Sequence, residues 1–136
     1  MERFAEIFEA QSLDHHFETG VLNEKAAAAG WTVLHPGESV RLDDSARSIV
    51  ISGVTWSKSD LEVLDELAAR DTSDTRVWFF NPDYVFPDEH ILPGAPRMIQ
   101  TPVLAEYSGS RLVHFVQGGS VSGGVIDRIR NLFRSR

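Results

Sequence analysis

The sequence contains no cysteine, and this absence excludes disulfide bonds, thiolate metal sites, iron–sulfur clusters and thiol nucleophiles. It also has no run of about 18 apolar residues, so we expect no membrane span. The first residues, Met1 to Glu6, lack the basic and then apolar pattern of a secretion signal. With 136 residues, 42% of them hydrophobic, the chain can build one core of its own. We therefore expect a single cytoplasmic domain over residues 1–136.

Basic residues are scarce in the first two thirds of the chain. Residues 1–96 contain 18 acidic and seven basic residues, a net charge of −11, whereas residues 97–136 carry +4, which together give the total of −7. General nucleic-acid binding needs basic groups that neutralise phosphates, so we expect no nucleic-acid partner. The acidic surface either steers a basic protein partner toward the chain or serves solubility alone.

The hydrophobic pattern predicts an α/β fold. Ser48–Ser52 is a β-branched apolar run, typical of a strand covered on both faces. Ser59-Asp60-Leu61-Glu62 fits a capping box, which makes Ser59 the predicted N-cap of the following helix. The predicted elements are helices over 2–11 and 20–29, strands over 31–34 and 48–52, a helix over 59–70, a strand over 76–80, a hairpin with strands over 102–107 and 112–116, and a helix over 125–133.

Residues 81–101 form a long connection that contains four prolines, and these forbid a long helix. A loop of this length is uncommon in a compact domain and is often functional. Within it, Tyr84 and Phe86 lie among acidic residues. Together with Ile91 and Leu92, they either anchor a partner protein or cover the sheet where another fold would have a helix.

The order of these elements, with two local matches, resembles the thioredoxin family. In thioredoxins a strand ends in an aromatic residue, commonly tryptophan, which precedes Cys-x-x-Cys at the start of a helix. Here Trp56 is followed by Ser57-Lys58-Ser59-Asp60, so Ser57 and Asp60 stand at the two cysteine positions. The second match is Gln100-Thr101-Pro102 before a strand, similar to the cis-proline segment of the family. The resemblance covers residues 45–134, and residues 1–44 supply N-terminal helices and a first strand.

The resemblance implies a thioredoxin-like fold, a central mixed β-sheet flanked by helices. Because Ser57 and Asp60 cannot perform disulfide exchange, thiol–disulfide oxidoreductase activity is excluded by composition. In the redox-active relatives this surface binds an extended peptide, and cysteine-free relatives are typically assembly factors or partner-binding modules. We therefore expect a non-catalytic protein-binding module, either an accessory or assembly chaperone or an acidic inhibitor or immunity protein that covers a basic partner.

Each candidate contact residue also has a purely structural interpretation. Trp56 is either part of the binding face or a core aromatic residue. Ser57 and Asp60 either face a ligand or satisfy the free amides of a helix start. The resemblance predicts a cis peptide bond between Thr101 and Pro102, which would leave the main chain before the proline open to an extended partner segment. The alternative is an ordinary trans proline at a strand start.

Two further functional classes remain open. An enzyme of this fold would hold a glutathione-like or phosphorylated small substrate through Ser57 and Thr101, and it would need a base within hydrogen-bond reach of a hydroxyl. A self-associating module would use exposed edge-strand residues or the N-terminal helix. We expect no metal and no cofactor, because the donors in 14–16 and 88–90 are sequence neighbours and no histidine pair has the i, i+4 spacing of a zinc motif.

Overall fold

The computed structural model describes residues 4, 19–35, 37–54, 57–81, 92–96, 100–118 and 122–135. These residues form three helices and seven strands. The helices are α1 (Thr19–Ala28), α2 (Lys58–Ala68) and α3 (Ser122–Leu132), and the strands are β1 (Thr32–Leu34), β2 (Arg47–Ser52), β3 (Arg70–Asp71), β4 (Thr75–Phe80), β5 (Val103–Ser108), β6 (Arg111–Gln117) and β7 (Arg134–Ser135).

Five of the strands form one mixed sheet in the order β1-β4-β2-β5-β6. β1 and β2 each pair with β4 in parallel, whereas β5 is antiparallel to both β2 and β6. The mixed α/β class predicted from the sequence is confirmed. The short strands β3 and β7 pair separately, and they are not predicted from the sequence because a two-residue strand has no hydrophobic period.

The central position of β2 follows from its sequence. Residues 48–52 of β2 are all fully buried, as the β-branched run predicts for a strand with neighbours on both sides and packing on both faces. The connection from β2 through α2 to the adjacent parallel strand β4 is the predicted β-α-β unit. The predicted hairpin is also present, and Ser108 pairs with Arg111 across a two-residue turn.

The sheet separates two hydrophobic clusters. One cluster joins Ile49, Ile51 and Phe79 on one face of the sheet to residues of all three described helices. Those helical residues are Leu22 and Ala26 of α1, Leu61, Val63, Leu64, Leu67 and Ala68 of α2, and Ile129 of α3. Phe4 belongs to the same cluster and stacks on Trp31, with ring centroids 5.3 Å apart.

The opposite face of the sheet is covered by side chains from irregular segments. Leu92 and Val40 pack there against Val50 and Tyr107. The hydroxyl of Tyr107 donates a hydrogen bond to the carbonyl oxygen of Pro93, at 2.8 Å. For Leu92, the interpretation that the 81–101 connection covers the sheet is therefore confirmed.

Replacing Tyr107 with phenylalanine should lower the free energy of unfolding by about 1 kcal/mol, because the Pro93 carbonyl loses its partner.

Burial raises the pKa of Tyr107 from 10.0 to about 12. The folded state holds the phenolic proton more tightly than the unfolded state does. Tyr107 therefore makes its full contribution to the free energy of unfolding below pH 10, and this contribution is lost as the pH rises through 12. Urea denaturation between pH 7 and 12 should show that decline in the wild type and a flatter curve in Tyr107→Phe; parallel curves would contradict it.

Most predicted elements lie close to the observed ones. The helix predicted over 20–29 is α1, which is followed by Gly30 at φ +89°. The strand over 31–34 is β1, and the C-terminal helix begins at Ser122, three residues before its predicted start. The predicted helix over 2–11 lies outside the described residues apart from Phe4. None of the helices in the described part of the chain is both long and apolar enough to cross a membrane.

Candidate functional site

Ser57 is the N-cap of α2. Its backbone is extended, with φ −117° and ψ 111°, and its Oγ accepts a hydrogen bond from the main-chain N–H of Asp60, at 3.3 Å. The prediction that Ser59 is the N-cap is therefore wrong. Ser57-x-x-Asp60 and Ser59-x-x-Glu62 both have capping spacing, and the helix begins at the earlier of the two. The structural interpretation of Ser57, as part of the helix start, is confirmed.

Asp60 is buried at the third position of α2, with 1% of its surface exposed. One carboxylate oxygen accepts a hydrogen bond from the Val54 N–H, at 3.1 Å. The other accepts one from the Ser57 hydroxyl, at 3.0 Å. In a usual capping box the third residue bonds back to the N-cap amide, whereas here Asp60 reaches further back and fixes the chain that leaves β2.

The hydroxyl of Thr101 also hydrogen-bonds to the Asp60 carboxylate. Burial raises the pKa of Asp60, and the hydrogen bonds from Thr101, Val54 and Ser57 oppose that rise without cancelling it. The structure thus joins two segments that are about forty residues apart in sequence, the start of α2 and the Thr101–Pro102 segment. We call Ser57, Asp60, Thr101 and Pro102 the carboxylate site.

Gly53 allows this close approach at the end of β2. A Cβ atom at residue 53 would lie 3.2 Å from the Cβ of Asp60 and 3.5 Å from Cδ1 of Leu64. The shorter distance is tighter than ordinary van der Waals contact, so a side chain here would push α2 away from β2. The glycine therefore keeps the Asp60 carboxylate beside the end of the strand.

The Thr101–Pro102 segment enters the site just before β5. The peptide bond between these residues is cis, which confirms the prediction from the resemblance. Pro102 is buried and Thr101 is half-buried. Among the described residues none forms a main-chain hydrogen bond with Thr101, because the pairing of β5 with β2 and β6 begins at Val103.

Gly118 supports the same segment from the end of β6. Its N–H donates to the carbonyl oxygen of Pro102, at 2.9 Å. Its φ is +103°, and a Cβ atom there would lie 1.9 Å from Oε1 of Gln100. Neither Gly118 nor Gln100 is among the contact residues predicted from the sequence, where the pair Gly118-Gly119 is the local signal for a turn.

Three of the predicted contact residues lie outside the described residues. They are Trp56, Tyr84 and Phe86, so their roles stay predictions. The predicted donors in 14–16 and 88–90 lie outside them as well. Over the part of the chain that the structure describes, no three histidine, aspartate or glutamate side chains are close enough to hold a metal ion.

Replacing Asp60 with asparagine should stabilise the fold by up to about 1 kcal/mol at pH 7, because it removes a buried charge and keeps an acceptor for Val54. The amide nitrogen can donate to the hydroxyls of Ser57 and Thr101.

The sign of the pH effect follows from the raised pKa of Asp60. The folded state favours the protonated carboxyl. The free energy of unfolding of the wild type therefore rises, relative to that of Asp60→Asn, as the pH falls through the raised pKa. The stability difference from Asp60→Asn should therefore shrink between pH 7 and pH 4. Thermal denaturation of both proteins at each pH measures this stability difference. A difference that widens toward acid would contradict the raised pKa of Asp60.

Comparison with known proteins finds no protein-family model that matches this chain and no curated protein similar to it in sequence. Assignment of fold family and function therefore depends on the geometry of the carboxylate site and on the order of the elements around it.

Proposed function

We propose that this chain is a non-catalytic protein-binding module with a thioredoxin-like fold, and that the carboxylate site is the centre of its binding face. An extended segment of the partner would pair with the main chain of Thr101, beside the start of α2. The observation that carries the proposal is the position of Thr101, whose hydroxyl is held by Asp60 while its main chain lies next to the first residue of the β5 ladder.

The geometry favours peptide binding for a physical reason. An extended peptide adds to a protein through main-chain hydrogen bonds, and the donor and acceptor must be held in place before binding if affinity is not to be lost in ordering them. The bond from Thr101 to a buried carboxylate supplies that rigidity. Gly118 adds to it by bonding to Pro102.

The arrangement of the elements supports the thioredoxin-like fold. The β2-α2-β4 unit, the β5–β6 hairpin and the final helix α3 are organised on one mixed sheet, as the resemblance implies. The described helices all pack on one face of that sheet, whereas the resemblance implies a sheet flanked by helices. Ser57 and Asp60, at the positions of the family's two cysteines, lie beside the residue that precedes the proline.

The acidic balance of the chain favours a basic partner. The partner is then either a protein whose assembly the chain assists or a protein that it inhibits. Both would be attracted by the net charge of −11 over residues 1–96. A stable complex of a single basic protein favours the inhibitor role, whereas transient complexes with an unassembled protein favour the chaperone role.

One observation favours the enzyme alternative. Asp60 lies within hydrogen-bond reach of the Ser57 hydroxyl, which is the geometry of a base and a nucleophile. However, Ser57 Oγ also accepts the Asp60 N–H, and the other carboxylate oxygen is bonded to Val54, so both groups are used in forming the helix start. Calorimetry with glutathione and with a small phosphorylated compound tests this alternative, and binding of either that is lost in Ser57→Ala would support it.

The binding face is tested by site-specific photocrosslinking in lysate of the source cells. A photoreactive residue replaces Lys58 or Gln100, both exposed beside the carboxylate site, or Asp74, which is exposed in the turn before β4 at the opposite end of the sheet. We expect one protein adduct from positions 58 and 100 and none from 74. The adduct should weaken at high salt, because salt screens the attraction of a basic partner.

The proposal fails if all three positions give the same adducts, because the contacts are then not specific to this face. It also fails if no protein is captured and a small molecule binds in a way that depends on Ser57.

A further inference from the structure

Three arginines lie on one face of the sheet, at the end where β2 begins and β5 finishes. Arg47 is the first residue of β2 and pairs with Ser108, which pairs in turn with Arg111 of β6. Residues paired across neighbouring strands lie on the same face of a sheet. Arg128 reaches this face from α3 through its bonds to Glu106. We call Arg47, Arg111 and Arg128 the arginine cluster.

The carboxylate of Glu106 holds two of these side chains in place. Glu106 is buried, with 7% of its surface exposed. It accepts hydrogen bonds from Nε and Nη2 of Arg128, at 3.2 and 2.6 Å, and from Nη2 of Arg47, at 3.4 Å. The guanidinium carbon of Arg47 also lies 5.1 Å from the ring centroid of Phe133, which is a cation–π contact. Both guanidinium groups are therefore positioned before any ligand arrives.

The arginine cluster keeps hydrogen-bond donors that the described residues do not use. A guanidinium group has several N–H donors, and Glu106 takes up one nitrogen of Arg47 and two of Arg128. About a third of each of these two side chains is exposed. Arg111 is exposed, and its side chain forms no ion pair or hydrogen bond with any residue that the structure describes. The cluster therefore presents free donors at the surface.

The arginine cluster is also a positively charged patch on an acidic chain. Three arginines face the single carboxylate of Glu106, whereas the whole chain carries a net charge of −7. Asp74 lies in the turn before β4, on the other side of β2, and the bond to Glu106 directs the Arg47 guanidinium away from it, toward β5. Asp127 points about 100° around α3 from Arg128. The positive charge of the cluster therefore faces β5 and β6.

We propose that the arginine cluster binds a phosphoryl group. Such a group has three acceptor oxygens and a charge of about −1.5 to −2 at pH 7, so it can bridge two guanidinium groups, whereas a carboxylate is matched by one. Two strand spacings of about 4.8 Å separate Arg47 from Arg111, and long arginine side chains close such a gap.

This site is separate from the carboxylate site. The arginine cluster lies at the first residue of β2, whereas the carboxylate site lies beyond the last residue of that strand. The proposal therefore does not rest on the proposed function. It also differs from the enzyme alternative, in which a phosphorylated substrate would depend on Ser57.

NMR titration of the full chain with inorganic phosphate, at pH 7.5 and low salt, tests the site. We expect a Kd of about 1 mM and shifts of the Nε–H signals of the three arginines. Arg111→Ala should raise the Kd at least about fivefold. Arg41→Ala is the matched control, because it removes the same charge from an exposed position in the segment that covers the opposite face of the sheet. Its Kd and that of Ser57→Ala should stay within about twofold of the wild type.

A short peptide with one serine, tested with and without a phosphate on that serine, distinguishes two sources of the phosphoryl group. Binding of the phosphopeptide at least about tenfold tighter than inorganic phosphate indicates a phosphorylated protein, and no such gain indicates a small phosphorylated molecule. The proposal is overturned if about 20 mM phosphate, well above the expected Kd, leaves the arginine signals unshifted. It is also overturned if Arg111→Ala and Arg41→Ala change the Kd by the same factor. The crosslinking from positions 58 and 100 does not depend on any of these results.

Discussion

Gly118→Ala should lower the free energy of unfolding by about 2 kcal/mol. The φ of +103° at Gly118 is costly for any residue with a Cβ atom, by about 1–2 kcal/mol. The new Cβ would also overlap Oε1 of Gln100. Gln100 is exposed and can rotate away, so this contact adds less than an overpacked core contact, which costs about 1–3 kcal/mol. Urea denaturation of the purified variant measures the sum.

Gly30→Ala is the matched control for this prediction. Gly30 has a similar φ of +89°, but a Cβ atom there would meet nothing within 4 Å. Its replacement should therefore cost only the backbone strain, about 1 kcal/mol. Equal losses in the two variants would mean that the contact with Gln100 contributes nothing.

Gly118→Ala should also weaken partner binding. The Gly118 N–H holds the Pro102 carbonyl, and Gln100 would have to move away from the new Cβ atom. Both changes displace the segment that carries Thr101. At a temperature where the variant is still folded, we expect less adduct from the photoreactive residue at position 58, where Gln100 is kept. An unchanged adduct would place the binding face elsewhere.

Glu106→Gln should also lower the free energy of unfolding by about 3 kcal/mol. Glu106 is buried, with 7% of its surface exposed, and its carboxylate accepts from Arg128 of α3, at 2.6 Å, and from Arg47 of β2, at 3.4 Å. Removing one partner of a buried ion pair costs about 3–5 kcal/mol. We expect the lower end, because about a third of each arginine side chain is exposed and can regain water.

Asp43→Asn provides the comparison for Glu106→Gln. Asp43 pairs with Arg76 at 3.3 Å, and both side chains are exposed. Exposed pairs contribute little, so this variant should leave urea denaturation nearly unchanged. If the Glu106 and Asp43 variants lost similar stability, the burial of Glu106 would not be the cause of its effect.

Glu106 shows why some interactions could not be predicted from the sequence. Arg47, Glu106 and Arg128 lie on β2, β5 and α3, and Glu106 is 59 residues from Arg47 and 22 residues from Arg128 in sequence. Nothing in the local sequence indicates that two arginines share one carboxylate, or that Arg47 also lies 5.1 Å from the ring centroid of Phe133. Strand order and helix placement bring these groups together.

The choice between Ser57 and Ser59 as the N-cap has a similar explanation. Both serines have an acidic residue three positions later, so local spacing cannot separate them. In the structure α2 begins at Lys58 with Ser57 as its cap, and Asp60 bonds to Val54 and Thr101. Thr101 lies more than forty residues away, so the local sequence contains no sign of its contact with Asp60.

The sequence by itself determined the elements and the excluded chemistry. Side chains of a strand alternate between the two faces of a sheet, and this period of two residues is visible within a few residues of sequence. The alternation and the β-branched runs therefore predict β2, β4 and the hairpin. The absence of cysteine excludes disulfide exchange. Only the tertiary structure decided that the described helices share one face of the sheet, that Leu92 and Val40 cover the other, and that Asp60 meets Thr101. The physical reason is that an apolar stripe shows that a face is buried, whereas the surface that buries it depends on the packing of segments distant in the chain.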